Sequence, residues 1–543
     1  QYGSQPSADC LPPTASLRSC SFLSWLPSCF QVCSAFPSPA TVPWLSRATI
    51  GPLVSCADVD FNWITAFTPT VALTCLAGAA LGVLWGAMPG LSVNMALALL
   101  IGITYSLPSE LAVAFMLAVW VAGEFGGAIP AIMINIPGTP AAVPTQLAGR
   151  PLALRGKGGA AIGSALVASV LGGLAGVAFL VTVTPILTAV VLHMGSWEVF
   201  LLALLGIVLS GSVAAGVHPI KGWSMGLLGL LASMVGQDPI HGAQRWTYDS
   251  PHLIGGVGFL PVMVGLLAVS EAIEMLSRHA NSYRRILPGP LKPPPGLFAR
   301  YWRSIVRSSL IGTLVGSMPG AGASIASFLS YSIGEKRSGK KFSDGDIDGV
   351  ICGEVANNAN VGGGLIPAAT LGIPGNNAAA LFMAALTLHG VVLSPTVQQD
   401  HPGFLGYAFS TLLVANIALL VSAPLTIRAA LAWLTVPTKL LMPLVLVLAV
   451  YGTYAASNSL WDVYVMFAAG VAGYVLKLGG FPLAPIVLGI LLGPVADENL
   501  RCAMLITEGE ILPLLSRPAG DLLLLVLVGV VVFATTKHMR QMR

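Results

Sequence analysis

Charge is what this sequence has least of. Only 9% of its 543 residues are Asp, Glu, Lys or Arg, and 55% are hydrophobic; a soluble globular domain carries roughly 25% charged residues. So few charges cannot cover a water-facing surface, which excludes an ordinary soluble fold. The uncharged runs are long and unbroken, which favours membrane-spanning helices over the short alternating strands of a barrel. The net charge of +4 arises from few residues; it serves to orient loops across a bilayer, and no nucleic-acid partner is expected. Catalytic signatures are missing too. His193, His218, His241, His252 and His389 have no ligand spacing among themselves or with cysteine, so no metal centre is expected. There is no nucleophile elbow, metalloprotease helix or dinucleotide fingerprint, which weighs against an enzyme.

Cysteine is sparse where it would count. Five of the eight (Cys10, Cys20, Cys29, Cys33 and Cys56) fall at the start, and only Cys75, Cys352 and Cys502 lie beyond. Residues 1–57 are rich in Ser and Pro, lack helical periodicity and begin with Gln rather than Met. No basic start precedes their apolar run, so a signal peptide fits poorly. We expect this stretch to be an atypical extension outside the functional fold.

The body begins near Val59. Apolar stretches at 69–88, 91–107, 111–136, 160–183, 197–215, 222–236 and 254–276 form a first part, 58–287. A Pro-rich cytoplasmic linker, 288–302, leads to a second part, 303–543, with a hairpin at 304–333 and stretches at 404–427, 440–456, 461–476, 480–494 and 521–536; 502–515 is left open between crossing the bilayer and lying at its surface. Thr139 to Pro151 reads as irregular, leading into a basic loop at Arg150, Arg155 and Lys157. Arg303 and Arg307 precede the hairpin 304–333 and Lys336, Arg337, Lys340 and Lys341 follow it, whereas no Lys or Arg lies between Ala57 and Leu111. By the positive-inside rule the two hairpins face opposite sides. The fold expected is an all-α polytopic membrane protein with two inverted repeats, each holding a helical hairpin and a broken helix.

The most informative stretch runs from Gly349 to Gly390. It is apolar, yet carries Gly362-Gly363-Gly364, Pro367 and Ile373-Pro374-Gly375, together with Asn357, Asn358, Asn360, Asn376 and Asn377. We read the Gly and Pro residues as breaking the helix. Broken helices at membrane depth are tolerated only where they are buried or line a wet cavity, and secondary transporters build their sites from them. A weaker copy precedes it. Gly82, Gly86, Pro89 and Gly90 match Gly312, Gly316, Pro319 and Gly320 at a spacing of 230, and Gly123-Glu124 matches Gly353-Glu354 at the same spacing. Ile136-Pro137-Gly138 matches Ile373-Pro374-Gly375 at 237. The seven extra residues are therefore expected near the Asn-Asn-Ala-Asn run, with Glu124 and Glu354 at equivalent positions.

These motifs supply the binding candidates. Asn357, Asn358, Asn376 and Asn377 offer amide donors and acceptors without the cost of burying a charge; the bland alternative is helix–helix glue or caps. Pro89, Gly90, Ser92 and Asn94 at one tip, and Gly320, Gly322 and Ser324 at the other, bring backbone close to a ligand, and tight turns are the structural alternative. Pro137, Gly138 and Thr139, with Pro374 and Gly375, open helix ends whose N–H groups suit an anion. Glu124 and Glu354, as intramembrane carboxylates, are the candidates for ion coupling. A passive channel or a membrane-embedded enzyme stands as the alternative to a transporter.

The segments GAMPGLSVNMALALL, IPGTPAAVPTQLAGRPLALRGKGGAAIG, GSMPGAGASIASFLSY and EVANNANVGGGLIPAATLGIPGNNAAALFMAALTLHG resemble the large membrane subunit of the tripartite tricarboxylate transporters, the TctA family, from about Val59 onward. The resemblance implies a bacterial inner-membrane permease for small organic carboxylates, citrate among them, coupled to Na+ or H+. It implies two partners, a small TctB-like membrane subunit and a periplasmic TctC-like solute-binding protein. It departs from the family pattern at Gly149-Arg150-Pro151, where an acidic Asp-Gly pair is frequent, and at Gly353, where Pro is frequent.

Overall fold

The structure, a computed structural model, describes residues 66–88, 91–214, 218–238, 242–277, 289–433, 438–510 and 513–542. The extension 1–57, the first tip at Pro89 and Gly90 and the boundary near 287 lie outside the described residues.

The first part contains α1 (Pro69–Gly86), α2 (Val93–Thr104), α3 (Ser109–Gly126), α4 (Ala128–Ile134), α5 (Val143–Leu154), α6 (Gly158–Val191), α7 (Ser196–Ala214), α8 (Pro219–Ser233), α9 (Pro251–Ile254), α10 (Phe259–Val264) and α11 (Ser270–Ser277). A π-helical turn, Gly265–Val269, joins the last two. The second part contains α12 (Leu297–Gly316), α13 (Gly322–Ser338), α14 (Ile347–Leu371), α15 (Asn377–Leu388), α16 (Val397–Asp400), α17 (Phe404–Trp433), α18 (Thr438–Ser457), α19 (Leu460–Leu478), α20 (Ala484–Ile506) and α21 (Pro518–Met542). Among the described residues the strands are one antiparallel pair, Gly236–Gln237 with Gln244–Arg245. Among the described residues eight helical stretches are long and apolar enough to cross a membrane. The fold is all-α and polytopic, as the composition requires.

Two helices form the centre. Every residue of α14 from Gly349 to Thr370 is buried, and so is every residue of α3 from Met116 to Gly126. Lipid is as apolar as leucine, so membrane helices gain little from hiding apolar side chains and associate instead by close packing of small residues. The α6–α14 contact shows this. A Cβ at Gly172 would overlap the Val355 carbonyl, and one at Gly362 would overlap the Gly176 backbone.

Three sequence readings are revised or completed here. First, Gly362-Gly363-Gly364 and Pro367 do not break the helix; α14 runs through them to Leu371. The glycines are contact surfaces on three sides: Gly362 meets α6, Gly363 meets Thr313 of α12, and Gly364 meets the Asn376 side chain. The break is confined to Gly372–Asn376. Second, Thr139–Pro151 is not irregular, because α5 occupies most of it. Arg150 and Gln146 on α5 turn back to the orphan carbonyls at the end of α4: Arg150 Nη1 donates to Met133 O, and Gln146 Nε2 donates to Asn135 O at 2.9 Å. Third, 502–515 has no crossing of its own among the described residues, since α20 continues to Ile506.

Candidate functional site

Both parts build the same backbone knot from three glycines. In the first, Gly138 N donates to Gly127 O at 3.1 Å; a Cβ on Gly138 would overlap Gly86 O and lie 2.7 Å from Gly127 Cα. In the second, Gly375 N donates to Gly364 O at 3.2 Å; a Cβ on Gly375 would overlap Gly316 O and lie 2.7 Å from Gly364 Cα. The left-handed residues that end the preceding helices also correspond, Asn135 at φ 64° and Gly372 at φ 69°. Only a residue without Cβ lets three chains meet this closely.

The knot fixes the register between the parts and corrects the sequence alignment. Gly82 and Gly86 on α1 face the Val119 and Gly123 carbonyls; Gly312 and Gly316 on α12 face those of Ala356 and Asn360. Thus α3 and α14 correspond at a spacing of 237 along their lengths. The insertion lies before α14, in the longer α13 and the turn after it, not at Asn-Asn-Ala-Asn. Glu124 then matches Val361, and Glu354 matches Leu117. The two carboxylates are not equivalent; they stand two helical turns apart in register.

A cavity of about 350 Å³ opens where these elements meet, within the range of about 300–1,000 Å³ usual for small-molecule sites. The N-termini of four helices converge on it: α2 through Ser92, Val93 and Asn94, α13 through Ala321 to Ser324, α15 through Asn376, Asn377 and Ala378, and α20 through Ala484. Thr139 and Pro140, entering α5, and the C-terminal end of α7 complete the wall. Helix N-termini carry unpaired N–H groups and a partial positive charge. Two of the four are capped: Ser92 Oγ accepts from Met95 N at 3.2 Å, and Asn376 Oδ1 accepts from Ala379 N at 2.8 Å. The α13 N-terminus has no side-chain cap. Gly320 and Gly322 shape that end. Gly320, at φ +78°, packs on Ser210 and donates its N–H to Gly375 O at 3.0 Å; Gly322, at φ +67°, has open space where a Cβ would be. Among the described residues the single ionisable lining side chain is Glu124, and no Lys, Arg or His contributes to the wall.

Of the expected residues, Ser92, Asn94, Glu124, Thr139, Gly320, Gly322, Ser324, Asn376 and Asn377 line this cavity. Gly138 and Gly375 hold the breaks from behind, and Pro137 and Pro374 precede them without lining it. Asn357 and Asn358 are fully buried in α14, away from the wall. Asn376 is not a free amide, because its Nδ2 also donates to Asn360 Oδ1 at 2.9 Å. Asn357 Nδ2 lies 3.4 Å from Glu124 O, and its amide and the Trp120 indole face the Glu124 carboxyl.

Glu354 makes a separate arrangement. It is fully buried and accepts from Thr145 Oγ1 of α5 at 2.5 Å and Ser169 Oγ of α6 at 3.0 Å, so it ties α14 to the first part. Sequence reasoning missed Ser169, Asn360 and Glu271. Glu271, on α11, accepts from Ser92 Oγ at 2.8 Å, a meeting of residues 179 apart that no local signal marks.

Comparison with known proteins agrees with this picture. Residues 72–488 match the family described as Tripartite tricarboxylate transporter TctA family. The chain is 31% identical over 493 residues (90% of this chain, 97% of the relative) to an Agrobacterium vitis protein described as "Uncharacterized 52.8 kDa protein in TAR-I ttuC' 3'region". It is 37% identical over 224 residues (40% of this chain, 92% of the relative) to another from that organism, "Uncharacterized protein in TAR-II ttuC' 3'region". No solved structure matches.

Proposed function

The chain belongs to the tripartite tricarboxylate transporter TctA family, and we propose that it is the permease subunit of a binding-protein-dependent importer of small organic carboxylates. The observation that carries this reading is the convergence of four helix N-termini on one cavity that has no basic side chain among the described residues. Such a wall stabilises an anion through backbone N–H groups and amides, and it lets the anion leave again, which a buried Arg clamp would hinder. The uncapped α13 N-terminus at Gly322–Ser324, with Asn94, Asn377 and Thr139, receives the carboxylate groups. The membership favours a transporter over an enzyme.

In this reading the chain sits in a bacterial inner membrane with a small TctB-like subunit. A periplasmic TctC-like protein delivers substrate, and an inward Na+ or H+ gradient drives uptake. The two knotted hairpin-and-break units are inverted repeats that move together past the flanking helices, giving access to each side in turn.

The test is uptake of labelled citrate and other di- and tricarboxylates into proteoliposomes holding this chain and the small subunit, with the binding protein outside. Saturable, gradient-dependent uptake that falls at least tenfold in Asn377→Ala and Ser324→Ala is expected. Uptake of no carboxylate by a folded complex overturns the proposal, and non-saturating flux indifferent to any gradient would mean a channel.

A further inference from the structure

The two breaks correspond residue for residue, yet their surroundings differ. In the first, Asn135 is exposed and Ile136 and Pro137 are half-buried. In the second, Ile373 is only 1% exposed, and Pro374 and Gly375 are buried with it. Ile373 packs with Ala203 and Ile207 of α7 and with Leu492 and Ala496 of α20, all of them buried. Gly206 of α7 shows how closely these elements meet. A Cβ there would lie 3.1 Å from Leu492 Cδ1, 3.4 Å from Pro319 Cβ and 3.7 Å from Ile373 Cγ2.

This apolar cluster separates two cavities. On one side is the cavity of about 350 Å³ already described. On the other is one of about 710 Å³, lined by Val199 and Leu202 of α7, Leu371 and Ile373 at the break, and Pro494 and Val495 of α20. Along α7 the order is Leu202 in the larger cavity, Ala203 to Ile207 in the cluster, and Val213 and Ala214 in the smaller cavity. At roughly 1.5 Å of rise per residue the cluster is little more than one helical turn thick. Charge assigns the sides. Beyond the smaller cavity Lys221 Nζ donates to Gly479 O at 2.8 Å, and Arg155 and Lys157 follow the first break, so this cavity lies toward the cytoplasm. Ser394 and Pro395 line the larger cavity, and 394–403 holds no Lys or Arg, so that cavity lies toward the outside.

We propose that Ile207, Ile373 and Leu492 form the outer seal of the smaller cavity, and that the structure is an inward-facing state closed by that seal. A carboxylate would have to shed its water to pass through, which is costly, and apolar constrictions gate by excluding water. The seal is also able to part. Hydrogen bonds tie the second break to its own unit, Gly375 N to Gly364 O and Gly320 N to Gly375 O, whereas Ile373 meets α7 and α20 through apolar contact. In the opposite state Ile373 is uncovered and its counterpart Ile136 is buried. The inference rests on the transport reading for its purpose; packing and the two cavities define the seal.

The test uses the full chain in sealed membrane vesicles of both orientations, with a membrane-impermeant maleimide. Ser324→Cys reports on the smaller cavity, against the background of the chain's own cysteines. Gly206→Cys paired with Ile373→Cys should form a disulfide under mild oxidation and hold the seal shut. In that bridged chain Ser324→Cys should label at least tenfold faster from the inside than from the outside. Without the bridge, Leu492→Ala, alone and with Ile207→Ala, should raise outside labelling at least tenfold, with parental size-exclusion profiles. Labelling of the bridged chain that is as fast from outside as from inside overturns the seal, and so does outside labelling unmoved by both alanine variants. Uptake of labelled carboxylate by the same vesicles asks whether the seal moves. The bridge should stop uptake and reductant should restore it; uptake at the parental rate through the bridged chain overturns a moving seal. Labelling that behaves as expected, in a chain that takes up no carboxylate even unbridged, leaves the seal standing and removes the transport reading instead.

Discussion

Replacing Gly375 by alanine tests the backbone knot directly. The new methyl would overlap Gly316 O on α12 and lie 2.7 Å from Gly364 Cα on α14. Neither neighbour is the flexible end of a side chain; both are backbone, at the buried end of α12 and within the buried α14. Relief requires the break to move outward by roughly 1 Å, an overpacking cost of about 1–3 kcal/mol. The same movement strains two hydrogen bonds, Gly375 N to Gly364 O and Gly320 N to Gly375 O, each contributing about 1 kcal/mol. Together these reach about 3–5 kcal/mol, a large part of the roughly 5–15 kcal/mol that holds a folded protein. Gly138→Ala meets the corresponding clash at Gly86 and Gly127 and should cost a similar amount. Gly322→Ala is the control. Its Cβ meets open space, so only the left-handed φ of +67° opposes it, at about 1–2 kcal/mol. Thermal unfolding in detergent, followed by recovery of the monodisperse peak, should rank Gly375→Ala and Gly138→Ala far below Gly322→Ala. The last should stay folded while losing carboxylate affinity, because it distorts the uncapped α13 N-terminus. A Gly375→Ala protein that melts with the parent would refute the packing argument.

Two further outcomes separate support from recognition. Asn376→Ala removes the α15 cap and the partner of Asn360, so it should lower thermal stability by about 1–2 kcal/mol; Asn377→Ala should leave unfolding unchanged and weaken carboxylate binding, read by titrating labelled substrate. At Glu354, Gln keeps an oxygen for one of the two hydroxyls of Thr145 and Ser169 and turns its NH2 to the oxygen of the other, while Leu orphans both, at about 1–3 kcal/mol each. Melting curves should therefore place Glu354→Leu well below Glu354→Gln, and equal curves would show that those hydroxyls find other partners.

The sequence by itself determined the class of molecule and the positions of its breaks. Scarcity of charge compels a membrane fold, because surface cover is a matter of composition. Ile136-Pro137-Gly138 and Ile373-Pro374-Gly375 announce their breaks because Pro and Gly act locally on the backbone. For the same local reason Ser92, Thr139, Ser324 and Asn377 were legible as cavity residues: each stands where a helix must begin. Local rules failed at Gly362-Gly363-Gly364. A glycine that breaks a helix and one that lets a neighbouring helix approach look alike in one dimension, and only the presence of Gly176, Thr313 and Asn376 against that run decides between them. The repeat register was equally undetermined, since spacings of 230 and 237 each gave matching residues. Tertiary structure settled it through which carbonyls Gly86 and Gly316 touch, and so separated Glu124, on the cavity wall, from Glu354, which binds α5 and α6 to α14. The partners of a buried polar group come from residues far apart in the chain, such as Thr145 and Ser169 for Glu354, and no periodicity or motif records that meeting.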